Sequence, residues 1–207
     1  MAIGPPDLKK WSTNTRRIKI ESNSHHKSKN MNALIVILII IAVPLILAFF
    51  LSNEYVIERD IVINRPKPDV FRYVSLVKNS EHFNKWVMTD PGMKKDYQGT
   101  DGTVGFIYKW DSENKQVGKG EQEIIKLTEG ERIDYEIRFI KPFPGTSFAS
   151  IETASVSPAH TKVTWVFRGV RTYAMKLMHM LLNLKKILGR DLATSLANLK
   201  AQLESAA

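Results

Sequence analysis

The chain has 207 residues, no cysteine and a formal net charge of +9 at neutral pH. The lack of cysteine excludes disulfide bonds, thiolate metal sites and thiol nucleophiles, and it fits either side of a membrane. Charged residues make up 25% of the chain. Because a single apolar segment approaches the length needed to cross a bilayer, the sequence also excludes a membrane protein with several spans.

The positive charge is concentrated before the apolar segment. Residues 1–30 carry seven Lys and Arg against two acidic residues, without any periodic pattern, and we expect a disordered basic tail. Basic residues directly before an apolar span are typical of its cytoplasmic flank, and we favour that interpretation over nucleic-acid binding. Met31 directly precedes the span, so residues 1–30 are either a native tail or an extension upstream of a natural start at Met31.

The apolar run extends from Ala33 to Leu51 without a charged or strongly polar side chain. A helix of this length spans about 29 Å, close to the hydrocarbon thickness of a bilayer. We predict one transmembrane helix over residues 31–52 and a globular domain over residues 53–207. The run is longer than a usual signal-peptide core and lacks an A-x-A cleavage pattern, which favours an uncleaved anchor over a cleaved signal. The charge asymmetry of its flanks places the domain on the extracytoplasmic side.

The globular domain is predicted to begin with a strand and two short helices. Residues 54–64 alternate with a period of two, which predicts a strand. Lys67-Pro68-Asp69 opens a helix, with Pro68 in its first turn. The sequence Asn-Ser-Glu at 79–81 is predicted to cap a second short helix, which Asp90-Pro91-Gly92 ends.

About six strands are predicted to fill the region from there to Gly169. The assigned segments are 105–111, 116–127, 133–139, 146–156 and 162–168, with turn residues between them. The period of two places Phe106, Tyr108 and Trp110 on one face of their strand. The inner face of segment 146–156 stays open.

The last part of the domain changes to a helical period. From Thr172 to Glu204 leucines recur at steps of three and four, which predicts one long amphipathic helix. Gly189 interrupts the stripe at a cost of about 1 kcal/mol relative to alanine, so we expect close packing there. The element order predicts an α+β fold in which a curved antiparallel sheet of about seven strands wraps around the C-terminal helix. One helix does not fill such a sheet, and an apolar cavity is expected between them.

The predicted elements also carry short motifs whose order and spacing are more specific than any single one. They are Val62-x-Asn64-x-Pro66 before Val70-Phe71, Trp86, Gly105-x-x-Tyr108-x-Trp110, Gly118-x-Gly120-x-x-x-Ile124, Phe139-x-x-Pro142, Thr161-x-Val163-x-Trp165-x-x-x-Gly169 and Leu196-x-x-Leu199-Lys200-x-x-Leu203-Glu204. Together they resemble the START-related helix-grip superfamily, most of all its polyketide cyclase/dehydrase-like branch, over nearly all of residues 54–204. The resemblance implies a large pocket for a hydrophobic small molecule. It implies no single chemistry, because the superfamily includes lipid carriers, hormone receptors, aromatase/cyclases and heat-shock ATPase activators.

Signatures of catalysis and metal binding are missing from the sequence. It has no G-x-S-x-G elbow, Walker A loop, H-E-x-x-H or EF-hand pattern. The adjacent histidines His25 and His26 lie in the predicted tail, so we expect neither a metal site nor a cofactor.

The remaining candidates for acid–base or polar chemistry in the cavity are Tyr108, Gln122 and Glu152. If Glu152 faces inward, desolvation raises its pKa and makes it a candidate acid or base. The alternative is that Ile151 and Thr153 face inward instead. The predicted ligand-binding residues are large side chains on the inner strand faces, after the first helix and at the start of the last one: Trp86, Phe106, Tyr108, Trp110, Gln122, Ile137, Phe139, Trp165, Met178 and Leu182.

These patterns predict a membrane-anchored protein that binds a lipid or polyketide-like molecule in the cavity, and they favour binding over catalysis. A cyclase/dehydrase-type enzyme acting on a hydrophobic substrate in the same cavity is the alternative. A protein-interaction module similar to the heat-shock ATPase activators is the second alternative.

Overall fold

The computed structural model describes Met1, residues 31–170 and residues 172–205, except the side chains of residues 174 and 179–182. Apart from Met1, the predicted basic tail at residues 1–30 lies outside the described residues. The chain divides into two compact units, Met1–Leu51 and Ser52–Ala207. In the first unit, helix α1 spans Met31–Phe50 and is long and apolar enough to cross a membrane.

The second unit is built on seven strands. They are β1 (Glu54–Ile63), β2 (Lys94–Gln98), β3 (Ile107–Asp111), β4 (Lys119–Thr128), β5 (Arg132–Lys141), β6 (Gly145–Ser157) and β7 (His160–Val170). All neighbours pair antiparallel in one open sheet of order β1-β7-β6-β5-β4-β3-β2. The predicted α+β class with a seven-stranded antiparallel sheet is therefore confirmed. The sequence did not mark β2, because Tyr97 stands alone in it among charged and polar residues and shows no alternation.

A helical segment connects β1 to β2. It consists of α2 (Lys67–Ser75), a 3-10 helix (Val77–His82) and α3 (Lys85–Thr89). The predicted cap at residues 79–81 is wrong, because these residues lie inside the 3-10 helix. Asn84 is the N-cap of α3, and its side-chain oxygen accepts a hydrogen bond from the Trp86 N–H at 3.0 Å.

The inner face of the sheet is fixed by strand register. Residues directly opposite one another on paired strands point to the same face, so one row runs through Tyr97, Tyr108, Gln122, Ile137 and Ser147. The core of the domain lies between this face and the helices. The sequence left open which residues of β6 face inward, and the burial of Ser147, Ala149, Ile151 and Thr153 shows that they do.

The predicted long C-terminal helix is confirmed, but two helices fill its predicted span from Thr172 to Glu204. They are α4 (Tyr173–Leu182) and α5 (Leu184–Ser205), separated by Asn183 with a left-handed φ of 48°. The leucine period continues across this point, and asparagine tolerates the left-handed region better than most residues, so the break leaves little trace in the pattern.

Helix α5 packs on β1 at the edge of the sheet. Gly189 is buried, and a Cβ there would meet the guanidinium of Arg59 on β1, in agreement with the close packing expected at this glycine. At the far end of α5, the Asn64 N–H donates to the Glu204 carboxylate at 2.7 Å, and the Arg65 side chain donates to the Leu203 carbonyl at 2.8 Å. These contacts hold the C-terminal helix along the strand that leads into the domain.

Candidate ligand-binding site

A cavity of about 250 Å³ lies between the inner face of the sheet and the helical segment that connects β1 to β2. Its walls are mainly aliphatic and aromatic side chains, formed by Val74, Leu76, Val77, Ser80, Phe83, Asn84, Trp86, Val87, Met93, Tyr108, Trp110, Gln116, Val117, Gln122, Tyr135, Ile137, Phe139, Ala149, Ile151, Trp165, Phe167 and Leu188. Within the part of the chain that the structure describes, α5 contributes Leu188 to this lining. Among the described side chains, the wall opposite the sheet is therefore formed mostly by the segment from α2 to α3.

Stacked aromatic rings cover the inner face of β2 to β5, and three of them, Tyr108, Trp110 and Phe139, line the cavity. Tyr97 lies on Tyr108 with ring centroids 5.4 Å apart, Tyr108 on Trp110 at 5.8 Å, and Trp110 meets Phe139 edge-on at 6.1 Å. The period of two explains this arrangement, since these side chains all leave the inner face of the sheet. Gly120 faces Trp110 across the ladder, and a Cβ there would lie 2.6 Å from the indole ring, so the glycine lets the indole cover β4.

The described lining presents few polar atoms to the cavity. Tyr108 is 5% exposed, and its hydroxyl is buried without a hydrogen-bond partner among the described residues. Burial raises the pKa of the Tyr108 hydroxyl well above its usual range, so this group stays protonated. Burial likewise raises the pKa of Tyr135, which also lines the cavity. Gln122 lies directly opposite Tyr108 and is half-buried.

The 3-10 helix at the cavity wall is held by carboxylates. Asp101 accepts hydrogen bonds from the backbone N–H groups of Val77 at 2.8 Å and Lys78 at 3.2 Å, which satisfies two donors at the helix start. Glu81 accepts a hydrogen bond from the Tyr97 hydroxyl at 2.7 Å. This bond holds the pKa of the Glu81 carboxyl below its usual range. The wall is thus tied to β2, one of the two edge strands of the sheet.

Two further hydrogen bonds tie the same wall to α5. The Lys85 N–H donates to the Ser195 hydroxyl at 3.0 Å, and the Asn198 side chain donates to the Phe83 carbonyl at 3.2 Å. Ser195 is fully buried, so this link excludes water from the base of α3. The C-terminal helix therefore shapes the cavity mainly by positioning the segment that lines it.

Seven of the ten residues predicted to bind ligand line the cavity: Trp86, Tyr108, Trp110, Gln122, Ile137, Phe139 and Trp165. Phe106 does not, because it is 1% exposed and packs beneath Tyr97 with ring centroids 6.1 Å apart. Met178 on α4 is half-buried but does not line the cavity. The side chain of Leu182 lies outside the described residues.

Glu152 does not line the cavity, in contrast to one of its two expected orientations. Ile151 and Thr153 are buried, and Glu152 leaves the other face of β6, where it pairs with Arg132 and its side chain is 39% exposed. The reason is the strand period, since neighbours of an inward residue point outward. The desolvation that would make this carboxylate an acid or base in the cavity is therefore missing.

Several lining residues were not predicted from the sequence. Tyr135 shares a strand face with Ile137 and Phe139, and the same period of two would have found it. The residues of the helical segment, such as Val74, Val77 and Phe83, gave no comparable signal. Their role depends on how this segment docks over the sheet. No group of three or more His, Cys, Asp or Glu in the described ranges is arranged to hold a metal ion.

The sheet, the C-terminal helix and the cavity between sheet and connecting segment define a helix-grip domain. The chain belongs to the polyketide cyclase/dehydrase and lipid transport family, whose sequence model matches residues 55–204. The comparison with curated proteins gave no match.

Solved structures show the same fold at low sequence identity. Truncated norcoclaurine synthase from Thalictrum flavum is 13% identical over 72% of this chain and 92% of its own, with a TM-score of 0.54. The same enzyme in complex with dopamine and hydroxybenzaldehyde is 14% identical over 73% and 87%, with a TM-score of 0.52. A protein from Mesorhizobium loti is 15% identical over 74% and 98%, with a TM-score of 0.53.

Proposed function

We propose that this protein binds a hydrophobic small molecule in the cavity of a domain held at a membrane by α1. The observation that carries the proposal is the cavity itself, about 250 Å³ of space that large side chains line but do not fill. Protein interiors normally pack as tightly as organic crystals, with few voids larger than a water molecule. A space of this size and composition suits a ligand better than it suits a core.

The dimensions of the cavity limit the ligand. An apolar cavity of about 150 Å³ holds one benzene molecule, so the space in this domain suits a molecule of about one or two rings or a short branched chain. A larger ligand would require side chains of the wall to move.

The lining supports binding more than acid–base catalysis. None of the described lining residues is Asp, Glu, His, Lys or Arg. Burial raises the pKa of the two tyrosines in the lining, so both stay protonated near neutral pH. The structure of norcoclaurine synthase with dopamine and hydroxybenzaldehyde supports the view that helix-grip domains accommodate small aromatic molecules.

The membrane part of the proposal rests on α1. A helix of 20 residues spans about 30 Å, and the sequence of Met31–Phe50 has no charged residue to oppose insertion. A signal sequence near an N-terminus has similar properties, and we favour the uncleaved anchor because the apolar run exceeds a usual signal-peptide core. The basic residues before the run favour an extracytoplasmic domain.

Native mass spectrometry of the full chain, purified from membranes, tests both parts. We expect the intact mass to include α1 and an additional small molecule to be released on denaturation. A thermal-shift screen with lipids, sterols and aromatic ketones should give stabilisation of about 2.7 kcal/mol at a hundredfold excess over the dissociation constant. A protein without bound molecule and without any shift would refute ligand binding, and a mature chain lacking α1 would refute the anchor.

A further inference from the structure

A short connection joins the apolar helix to the sheet. Helix α1 ends at Phe50 and β1 begins at Glu54. An extended chain covers at most about 3.6 Å per residue, so the start of β1 stays within about 14 Å of the end of α1, whichever way the two units are arranged. If α1 spans a bilayer, one end of the sheet is therefore held close to the lipid surface.

Strand register shows what else lies at this end of the domain, which we call the tether end. Glu54 is paired with Val170 at the end of β7, and the ladder continues through the start of β6 and the end of β5 to the start of β4. The β5–β6 turn (142–144) and the β3–β4 loop (112–118) therefore lie at the tether end. The β4–β5 and β6–β7 turns lie at the opposite end.

The start of α5 belongs to the tether end as well. Gly189 packs against Arg59 in the middle of β1, and the Glu204 carboxylate accepts a hydrogen bond from the Asn64 N–H just after that strand. The helix thus runs in the same direction as β1, and its first turn lies toward the start of the strand.

Apolar side chains are exposed at the tether end. Phe143 in the β5–β6 turn and Val170 at the end of β7 are each 57% exposed, and Ile140 is exposed beside the turn. Side chains of this kind enter the boundary between headgroups and acyl chains when a lipid surface is near. Exposure alone does not single out this end, because Val104 and Val156 are exposed at the opposite end.

Charge separates the two ends. Lys141 beside the β5–β6 turn is exposed, as are Lys185 and Lys186 in the first turn of α5. At the opposite end, the β4–β5 turn exposes Glu129 and Glu131. Anionic headgroups attract lysines near the surface and repel carboxylates, so the tether end is complementary to an anionic bilayer and the opposite end is not.

The cavity also reaches the tether end. Its lining includes Gln116 and Val117 of the β3–β4 loop and Leu188 near the start of α5. Gln116 is exposed and the other two are half-buried, whereas Tyr135 and Ile151, deeper in the lining, are buried. An accessible part of the cavity wall therefore lies at the tether end.

We propose that the tether end rests on the surface of the bilayer that α1 spans, with Phe143 in the headgroup region and the exposed lysines on anionic lipids. The accessible part of the cavity wall then faces lipid, so an apolar ligand passes between membrane and cavity without crossing bulk water. This inference rests on the proposed anchoring by α1. It adds which surface of the domain meets the membrane and from which phase the ligand enters.

The lack of cysteine allows a direct test, because one introduced cysteine is the only thiol to label. Phe143→Cys, Gln116→Cys and Val156→Cys are each labelled with the polarity-sensitive fluorophore NBD in the full chain. Val156 is 60% exposed and is the matched control for Phe143. The 13 residues of β6, a length of about 40 Å, separate it from the β5–β6 turn.

The labelled chains are placed in nanodiscs of phosphatidylcholine and phosphatidylglycerol, with and without a lipid that carries a nitroxide quencher near its headgroup. We expect the labels at positions 143 and 116 to shift to the blue and to lose most of their emission to the quencher. The label at position 156 should keep its emission and the spectrum of a label in water.

Charge reversal tests the contribution of the lysines. Lys185→Glu combined with Lys186→Glu should weaken the quenching at position 143, and so should nanodiscs of phosphatidylcholine alone. Glu129→Lys combined with Glu131→Lys is the matched control at the opposite end and should leave this quenching unchanged. All four positions are exposed, and an unchanged melting temperature verifies that each variant keeps its fold.

The outcomes separate the docking surface from the anchor. Labels at positions 143 and 116 that stay in water, in chains that remain in the nanodiscs, would overturn the docking and leave the anchor in place. Equal quenching at positions 143 and 156 would overturn the proposed orientation, and quenching at 143 without quenching at 116 would overturn the passage of ligand from lipid. If the mature chain lacks α1 and does not enter nanodiscs, the proposed anchor fails together with the docking.

Discussion

Filling the cavity from the sheet side should stabilise the domain and impair binding. Ala149 lies on the inner face of β6 between Tyr135 and Phe167, is 6% exposed and lines the cavity. Replacing it with leucine adds three carbon atoms. If they enter open space, each contributes about 0.8 kcal/mol by leaving water. The loss of leucine rotamer freedom opposes this by about 0.5–1 kcal/mol.

The net expected gain for Ala149→Leu is about 1.5 kcal/mol, after both contributions are combined. For a chain of this size that corresponds to a melting temperature about 3–6 °C higher. The assay is thermal and urea unfolding of the full chain in nanodiscs, followed by tryptophan fluorescence, together with titration of methyl naphthyl ketone. The same substitution at Ala154, exposed on the same strand, should change neither property and is the control.

A tightly packed core would respond in the opposite way. Overpacking by three carbon atoms costs typically 1–3 kcal/mol, because side chains leave their rotamers. If Ala149→Leu destabilises the protein by that amount, the space beside Ala149 is not free and the proposed ligand site loses its main support. A stabilised variant that binds the ketone as well as the wild type does would place the ligand elsewhere.

Three further predictions concern backbone conformation, the unpaired hydroxyl and pH. Gly118→Ala should lower the free energy of unfolding by more than about 2 kcal/mol, because φ is 66° and the new Cβ would collide with a backbone carbonyl. Gly130 has a φ of 71° but open space around it, so Gly130→Ala should cost about 1 kcal/mol. Urea unfolding measures both. Without ligand, Tyr108→Phe should be neutral to about 1 kcal/mol stabilising, while Tyr97→Phe should destabilise by about 1 kcal/mol through its lost hydrogen bond. Because the folded-state pKa of Glu81 is lowered, its carboxylate stabilises the folded domain, by less than about 1 kcal/mol, at pH values above the unfolded-state pKa of about 4.3. This stabilisation is lost on acidification. Glu81→Gln should therefore destabilise the domain at neutral pH only.

Each of these has a result that would contradict it. Equal effects at Gly118 and Gly130 would show that the backbone contact of Gly118 does not matter. Destabilisation by Tyr108→Phe in ligand-free protein would mean that this hydroxyl has a partner in the fold. A Glu81→Gln effect that persists unchanged well below pH 4 would show that the carboxylate charge is not its source.

Much of the sheet was predictable because strand periodicity is a local property. In β3 the alternation alone placed Tyr108 and Trp110 on one face, and both line the cavity. In β5 it placed Ile137 and Phe139 in the same way. Strand β2 was not predicted for the corresponding reason, because its residues are mostly charged and polar and show no alternation of apolar and polar side chains.

The helical parts were less predictable. A left-handed Asn183 divides the last helix without interrupting the leucine period, so the sequence predicted one element where two exist. The N-cap of α3 was misplaced because both 79–81 and Asn84 offer capping side chains. Which of them accepts a hydrogen bond depends on where the 3-10 helix ends, and near that end Glu81 is held by Tyr97 from a distant part of the chain.

The sequence by itself determined the apolar helix, the α+β order of elements and the inward face of most strands, because each of these follows from side-chain spacing over a few neighbouring residues. Only the tertiary structure decided which inward residues line open space. Phe106 and Tyr108 lie two residues apart on the same face, yet one is sealed in the core and the other lines the cavity. Phe106 packs against Tyr97 on β2, whereas Tyr108 also borders the cavity beneath the segment from α2 to α3. Both placements depend on contacts between residues far apart in sequence, which no local period records.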